Sequence, residues 1–379
     1  MRTVDAAGLK IGDPYPPRIM GVLNVSSESP YKPSVYNDPG EAAAYVDEEL
    51  IGEGADIVDV GLESANKRFE VLSADEELER LDTAIATIES VSGDAVYSIE
   101  TRYHEVAEEA LDRGFDIVND ICGFADPDMP RVCRERDAAV VKMASPPDLE
   151  RPGAIEDVDD IYAALEREGL TEKTIVDPAF GGWSEAKTLA DDRETFHRLR
   201  EFRGLGQPIL VSINRKNFLR DLADRSTEEA LPVSLAATAM AVERGAHVIR
   251  THDVAETRDA AIIGDTFTAD RIRTPTVEEL DVRTAREARR HLDRLHADPD
   301  LASDSASKVF QIMDIEAVDR FVSVARDAGA AVSRTDTHPE GTVYLAGTYE
   351  TLQATHHALA DAGFEAVAGP IADGLADRP

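Results

Sequence analysis

Apolar and polar positions alternate along the chain in two rhythms between Ile19 and Phe267. Short runs rich in β-branched residues are followed by longer stretches of helical period, which is typical of repeated βα units around a parallel sheet. Eight such units can be counted. Their predicted strands are Ile19–Val25, Ile57–Gly61, Tyr97–Glu100, Ile117–Asn119, Ala139–Met143, Thr174–Asp177, Ile209–Ser212 and His247–Arg250.

Helices are predicted between or after these strands, including Gly40–Glu53, Asp75–Val91, Tyr103–Arg113 and Val254–Phe267. Eight βα units favour an α/β protein with a closed (βα)8 TIM barrel, because open doubly wound sheets usually stop at about six strands. The active site of such a barrel lies at the C-terminal ends of its strands. Polar residues collect there, namely Asn24, Glu63, Glu100, Asn119, Asp120, Lys142, Asp177, Asn214 to Lys216, and Arg250 to Asp253.

The pattern changes after the barrel. Residues 268–305 are charged and predict a linker with a helix near Arg283–Leu295. Residues 306–379 show the β-α-β-β-α-β order of a small ferredoxin-like domain, with Pro339 to Gly341 suited to its central hairpin turn. The predicted elements are strand Lys308–Met313, helix Ile315–Ala328, strands Ala330–Arg334 and Thr342–Gly347, helix Tyr349–Ala362 and strand Phe364–Ala368. We therefore predict a barrel over residues 1–267 and an accessory domain after the linker.

The composition is strongly acidic, with a net charge of −35. Such a surface repels phosphate backbones, so no nucleic-acid partner is expected. Carboxylates are spread along the whole chain, and eight lysines stand against 32 arginines; both features favour a halophilic protein that needs salt to screen its own charge. Two cysteines, no apolar leader and no long apolar run lead us to expect a cytoplasmic protein without a membrane segment.

Several sequence blocks occur in order on successive strand ends and resemble the dihydropteroate synthase family. They cover most of Ile19–Phe267 and are Ile19 to Val25, Gly54 to Gly61 with Glu63-Ser64, Asn119 to Ile121, Asp177-Pro178, Asn214 to Phe218, and Arg250 to Val254. The resemblance implies a transferase that joins 6-hydroxymethyl-7,8-dihydropterin pyrophosphate to p-aminobenzoate, giving 7,8-dihydropteroate and pyrophosphate. It also implies Mg²⁺ as cofactor and a homodimer.

Site residues follow from the same resemblance. Asp177, Asn119 and Glu100 match positions that contact the pterin, and Asn24 matches the metal-contacting asparagine. Lys216 matches a lysine between the two substrates. Arg250 and His252 match the pair that binds the anionic leaving group. We expect Lys216, Arg250 and His252 to be catalytic and also to bind substrate.

The chain departs from the family pattern close to the chemistry. Glu100 stands where the family has an aspartate. Asn66 replaces an arginine expected to grip pyrophosphate, and Lys67 or Arg68 is expected to reach in its place. The stretch Phe180 to Ser184 replaces the usual Gly-Phe-Gly-Lys, and Trp183 either stacks on a flat ring or packs in the barrel wall.

These departures leave alternatives open. One is a pterin-binding relative that is non-catalytic or uses another acceptor, and rescue of a strain lacking its synthase would separate it from the synthase. Another is a methyltetrahydrofolate:corrinoid methyltransferase, which needs no pyrophosphate clamp. The Arg250 to Asp253 block and the Arg215-Lys216 pair speak against the methyltransferase.

Overall fold

The computed structural model describes residues 1–26, 32–63, 71–181, 186–269, 271, 278–334 and 342–376. It divides into two compact units, Met1–Ala269 and Asp270–Pro379, and the division falls close to the predicted end of the barrel. In the described parts of the chain, no helix combines the length and the apolar character needed to cross a membrane.

The first unit is a TIM barrel, as the sequence predicts. Its eight parallel strands run in the order β8-β7-β6-β5-β4-β3-β10-β9. A parallel bridge between Val176 and Ile209 joins the two ends of this order and closes the barrel. The strands are β3 Arg18–Asn24, β4 Ile57–Gly61, β5 Val96–Thr101, β6 Ile117–Asp120, β7 Ala139–Met143, β8 Thr174–Asp177, β9 Leu210–Val211 and β10 Val248–Thr251.

Helices form the outer layer of this unit. The first, α1, continues as a π-helical segment over Val46–Ile51, where the sequence predicts one uninterrupted α-helix. A capping box fixes the start of α2, because Ser73 and Glu76 bond each other's backbone N–H groups. The helices are α1 Pro39–Tyr45, α2 Ala74–Ser90, α3 His104–Asp112, α4 Met129–Glu135, α5 Val158–Glu166, α6 Leu189–His197, α7 Asn217–Ala223, α8 Leu231–Glu243 and α9 Val254–Thr266.

An N-terminal hairpin, which the sequence patterns did not predict, covers the bottom of the barrel. Its strands are β1 Val4–Ala6 and β2 Leu9–Ile11. Val4, Ala6 and Ile11 pack against the inward residues at the N-terminal ends of the strands, in one buried apolar cluster. The hairpin therefore closes the end of the barrel opposite the expected active site.

A buried ion network follows the hairpin. The guanidinium of Arg203 donates to both oxygens of Asp13, at 3.0 and 2.9 Å. The Asp13 carboxylate also bonds Nε2 of His247 at 2.8 Å, while the other ring nitrogen accepts the N–H of Ile209. These bonds join the segment after the hairpin to the late strands of the barrel.

The second unit contains a three-stranded antiparallel sheet in the order β11-β13-β12, with β11 Ser307–Ile312, β12 Ala331–Arg334 and β13 Val343–Thr348. Its helices are α10 Ala285–Arg294, α11 Val318–Asp327, α12 Tyr349–Asp361 and α13 Glu365–Leu375. The predicted hairpin turn at Pro339 to Gly341 lies outside the described residues.

The predicted final strand Phe364–Ala368 is wrong, because this segment enters α13. Phe364, Val367, Ala368, Ile371 and Leu375 recur at helical spacing and join the apolar cluster of the unit. From β11 onward the described residues thus follow a β-α-β-β-α-α order, in which α13 replaces the fourth strand of a ferredoxin-like sheet.

Candidate active site

Alternation along the strands sorts the strand-end polar residues into two sets. Ile57, Ile117 and Val248 belong to the apolar cluster inside the bottom of the barrel. Side chains two positions apart on a strand share a face. Asp59, Asn119 and Arg250 therefore face the interior, and by the same alternation so do Asn24, Glu100 and Asp177.

Asp120 and Lys142 belong to the outward set. The Asp120 carboxylate accepts the backbone N–H groups of Cys122 and Phe124, at 2.8 and 2.7 Å. The Lys142 ammonium donates to the carbonyl oxygens of Leu165 and Gly169, both at 3.0 Å, at the C-terminal end of α5. These two polar residues hold the loop after β6 and helix α5, and the barrel mouth does not contain them.

Arg250 is bonded to two carboxylates inside the mouth. Its Nε donates to Asp59 Oδ2 at 2.7 Å, and its Nη2 donates to Glu100 Oε2 at 2.6 Å. Burial raises the pKa of the Glu100 carboxyl, whereas the charge of Arg250 lowers it. Two of the five guanidinium N–H donors are used in these bonds, and the others can serve a ligand.

Asp59 is the centre of this network and is completely buried. Besides Arg250, it accepts bonds from Ser98 Oγ at 2.6 Å and from Asn119 Nδ2 at 3.0 Å. Sequence reasoning placed Asp59 within a family block but assigned it no role. Its signal was available, because a carboxylate in the middle of an apolar inward-facing strand requires partners.

Asp177 and Lys216 bring opposite charges to the other side of the mouth. Burial raises the pKa of Asp177 to about 6, and Lys216 and Arg250 oppose this effect. Burial also lowers the pKa of Lys216. One Asp177 oxygen accepts the N–H of Ala179 at 2.8 Å, so the carboxylate has a local structural bond as well as an inward position.

Gly181 makes room for Lys216. Its φ is +121°, and a Cβ there would lie 2.9 Å from the Lys216 Nζ. The lysine side chain therefore lies across a backbone position that only glycine occupies without strain. Trp183, Lys67 and Arg68, three residues that the sequence marks as candidate contacts, lie outside the described residues.

An ion pair between the last two strand ends positions His252. Arg215 donates to both oxygens of Asp253 at 2.8 Å. The Asp253 carboxylate also binds the Asn214 amide at 2.8 Å, and the Asn214 oxygen accepts the His252 N–H at 3.3 Å. Burial and then the charge of Arg250 lower the pKa of His252 to about 3, so its ring is neutral at pH 7.

Asn24 ends β3 on the inward face. Its amide Nδ2 donates to Ser34 Oγ at 2.9 Å, which fixes the orientation of the amide group. Its Oδ1 lies over Gly61, where a Cβ would be only 3.0 Å away. The arrangement presents an amide oxygen, a ligand type that Mg²⁺ accepts.

Comparison with known proteins identifies the family. The family described as pterin binding enzyme matches residues 20–252. A Halobacterium salinarum protein named a probable bifunctional folylpolyglutamate synthase/dihydropteroate synthase is 36% identical over 250 residues, covering 63% of this chain and 30% of that protein. The dihydropteroate synthase of Bacillus subtilis is 32% identical over 242 residues, covering 62% of this chain and 83% of the relative.

Solved structures give the same result. The dihydropteroate synthase of Coxiella burnetii in complex with pteroic acid aligns with a TM-score of 0.60 at 28% identity, over 71% of this chain and 99% of that one. The Thermus thermophilus enzyme in complex with 4-aminobenzoate aligns with a TM-score of 0.58 at 30% identity, over 70% and 100%. The chain belongs to the pterin-binding enzyme family.

Proposed function

We propose that the chain is a dihydropteroate synthase that condenses 6-hydroxymethyl-7,8-dihydropterin pyrophosphate with p-aminobenzoate. The observation that carries the proposal is the set of inward polar residues at the barrel mouth, where carboxylates, an amide and cations converge. The ligands named for the Coxiella burnetii and Thermus thermophilus relatives, pteroic acid and 4-aminobenzoate, support this choice of substrates. The folylpolyglutamate synthase activity named for the Halobacterium salinarum relative is not part of it.

Asp177 and Asn119 are suited to hold the pterin. A carboxylate can accept two parallel N–H bonds from the guanidine-like edge of the ring, which orients the ring and favours positive charge on it. Asn119 supplies an amide already oriented by Asp59. Glu100, which is bonded to Arg250, completes this side of the site in our proposal.

Lys216, Arg250 and His252 are suited to the displacement itself. The amine nitrogen of p-aminobenzoate forms a bond to the pterin methylene carbon as the C–O bond to pyrophosphate breaks. The electron pair leaves with the pyrophosphate, and the alkylated amine loses its proton to solvent. Cations and N–H donors fixed in advance stabilise the charge that develops on the leaving oxygen, and Arg250 is fixed by two carboxylates.

Asn24 would hold Mg²⁺ through its amide oxygen. An amide oxygen suits this ion, because Mg²⁺ is a hard cation that binds few protein oxygens and keeps water and phosphate ligands. When bound, the ion would neutralise negative charge on the pyrophosphate. The Ser34 hydroxyl accepts a hydrogen bond from the amide nitrogen of Asn24. This bond would fix the amide so that its oxygen points away from Ser34.

Pyrophosphate release by the purified protein tests the proposed function. The assay is run in molar KCl with Mg²⁺ and the dihydropterin pyrophosphate, with and without p-aminobenzoate. Release that depends on p-aminobenzoate is the expected result. Pterin binding without release would contradict the synthase and favour a non-catalytic relative or a different acceptor.

A homodimer is also part of the proposal. A groove of about 400 Å³ lies between α6, α7 and α8 and is lined mainly by apolar side chains, among them Phe196, Phe218, Leu222 and Met240. Leu222 and Met240 are 65% and 46% exposed. The groove lining contains no carboxylate. On a chain with a charge of −35, such a surface allows a second copy to approach with little repulsion.

We also propose that the protein works in a cytoplasm of high salt concentration. This part of the proposal rests on the acidic composition.

A further inference from the structure

Arg102 is a buried arginine that has no part in the reaction proposed above. It follows β5 directly and is only 1% exposed. Its Nη2 donates to Glu63 Oε2 at 2.8 Å, and its Nη1 donates to the carbonyl oxygen of Leu149 at 2.5 Å. Glu63 follows β4 and Leu149 follows β7, so one side chain connects three loops at the barrel mouth.

Neighbouring bonds strengthen this connection. The hydroxyl of Tyr103 donates to the carbonyl of Leu72 at 2.6 Å, and the N–H of Leu72 bonds Glu63 Oε1 at 3.4 Å. Arg80 of α2 donates to the carbonyl of Leu62 at 2.8 Å. Both ends of the connection between β4 and α2 are therefore tied to the turn that contains Arg102 and Tyr103.

Charge explains why a guanidinium is needed at this position. Burial raises the pKa of Glu63, and the charges of Arg102 and Arg80 lower it. Burial likewise raises the pKa of Glu77 to about 8, and this residue bonds the Thr101 hydroxyl at 2.5 Å. Glu77 is therefore largely protonated at neutral pH and leaves Arg102 to face Glu63.

Glu100 lies within the same field. Burial raises the pKa of Glu100, the charges of Arg250 and Arg102 lower it, and Asp59 and Glu63 raise it further. Arg250 bonds Glu100 directly, and Arg102 stands two residues after Glu100 at the same strand end. Loss of Arg102 would thus make both Glu63 and Glu100 harder to ionise.

We propose that Arg102 is a positioning residue of the active site, which joins three mouth loops through Glu63 and Leu149 and so keeps the adjoining Glu100 and its partner Arg250 in place. The inference rests on the proposed synthase activity. It assigns to Arg102 two separable contributions, a forked geometry and a positive charge.

Two substitutions separate these contributions. Arg102→Gln removes the charge, so the acid limb of the kcat/KM profile for pyrophosphate release should move to higher pH and become steeper, because protonation of Glu63 and Glu100 then adds to that of Asp177. Arg102→Lys keeps the charge but loses the two-pronged guanidinium that bonds Glu63 and Leu149 together. The acid limb should therefore stay near its original pH while kcat/KM falls roughly ten- to a hundredfold. Arg203→Gln is the matched control, because it removes an equally buried arginine at the opposite end of the barrel.

An acid limb that stays in place in Arg102→Gln, with losses no greater than those of Arg203→Gln, would overturn the inference. If Arg102→Gln does not fold, an unchanged kcat/KM in Arg102→Lys overturns it equally. Hydrogen–deuterium exchange over residues 144–157 provides a readout without turnover, since release of the Leu149 carbonyl should speed exchange in this loop. An inactive wild-type protein would reject the proposed function, and this exchange measurement would still decide whether Arg102 clamps the loop.

Discussion

Asp177 combines an inward position with a pKa raised to about 6 by burial. If its carboxylate binds the pterin, the ionised form is the competent one. Affinity for the dihydropterin should then fall about tenfold for each pH unit below about 6. Asp177→Asn should weaken binding by roughly ten- to a hundredfold and remove this pH dependence. Fluorescence titration from acidic to neutral pH measures both effects.

Asp120 provides the control for this prediction. Burial raises its pKa to about 6 as well, but its oxygens bond the backbone of the next loop and its side chain points out of the barrel. Asp120→Asn should therefore lower the free energy of unfolding and leave the pH dependence of pterin affinity intact. The same loss of pH dependence in both variants would argue against Asp177 as the pterin carboxylate.

Lys216 and Lys142 can be compared in the same way. Both are lysines near strand ends, but Lys216 lies at the barrel mouth and Lys142 points out of the barrel. Lys216→Met should lower kcat for pyrophosphate release by about a hundredfold or more, because a cation is removed from the site of charge development. Lys142→Met should leave kcat unchanged and reduce stability by about 1–3 kcal/mol, since it leaves carbonyl oxygens of α5 unbonded. Steady-state kinetics and thermal unfolding of both variants distinguish the two roles.

Strands were predicted well because their signal is local. Runs such as Ile57 to Gly61 are apolar and β-branched, and their bounds in the structure match the prediction. The direction of each side chain was harder to predict, since Asp120 and Lys142 lie near strand ends just as Asn119 does but point to the opposite face of the sheet. A one-residue difference reverses the face of a strand, and counting alternation from Ile117 or Ile57 would also have found Asp59.

Two elements escaped the sequence patterns for physical reasons. The strands Val4–Ala6 and Leu9–Ile11 have three residues each, too few to show a period. Phe364–Ala368 is a short, mostly apolar run directly after Gly363, which taken alone resembles a strand, but its apolar positions continue at helical spacing to Leu375. Contacts between distant segments, such as the bond of Arg102 to Leu149, cannot be read from local patterns.

The groove between α6, α7 and α8 gives a prediction at the level of helices. Met240→Asp places a charge in this apolar surface and should convert the proposed dimer to monomers, because the carboxylate must lose its hydration when a second copy covers the groove. Light scattering after size exclusion in molar KCl measures the mass. Val309→Asp is the control, since it adds the same charge at a side chain 58% exposed on the second unit. An equal change of mass in both variants would contradict the groove as the interface.

The whole molecule has a net charge of −35, and screening should decide its stability. The Debye length falls from about 10 Å at 0.1 M salt to about 3 Å at 1 M, so repulsion among the carboxylates weakens steeply over this range. We expect Tm to rise with KCl, and about 3 kcal/mol of stabilisation would raise it by roughly 10 °C in a unit of this size. Glu48→Gln combined with Glu49→Gln removes two surface charges and should lower the KCl concentration needed for half of the effect. A Tm independent of KCl would show that the acidic surface does not limit folding, and the composition would then no longer support a salt-adapted protein.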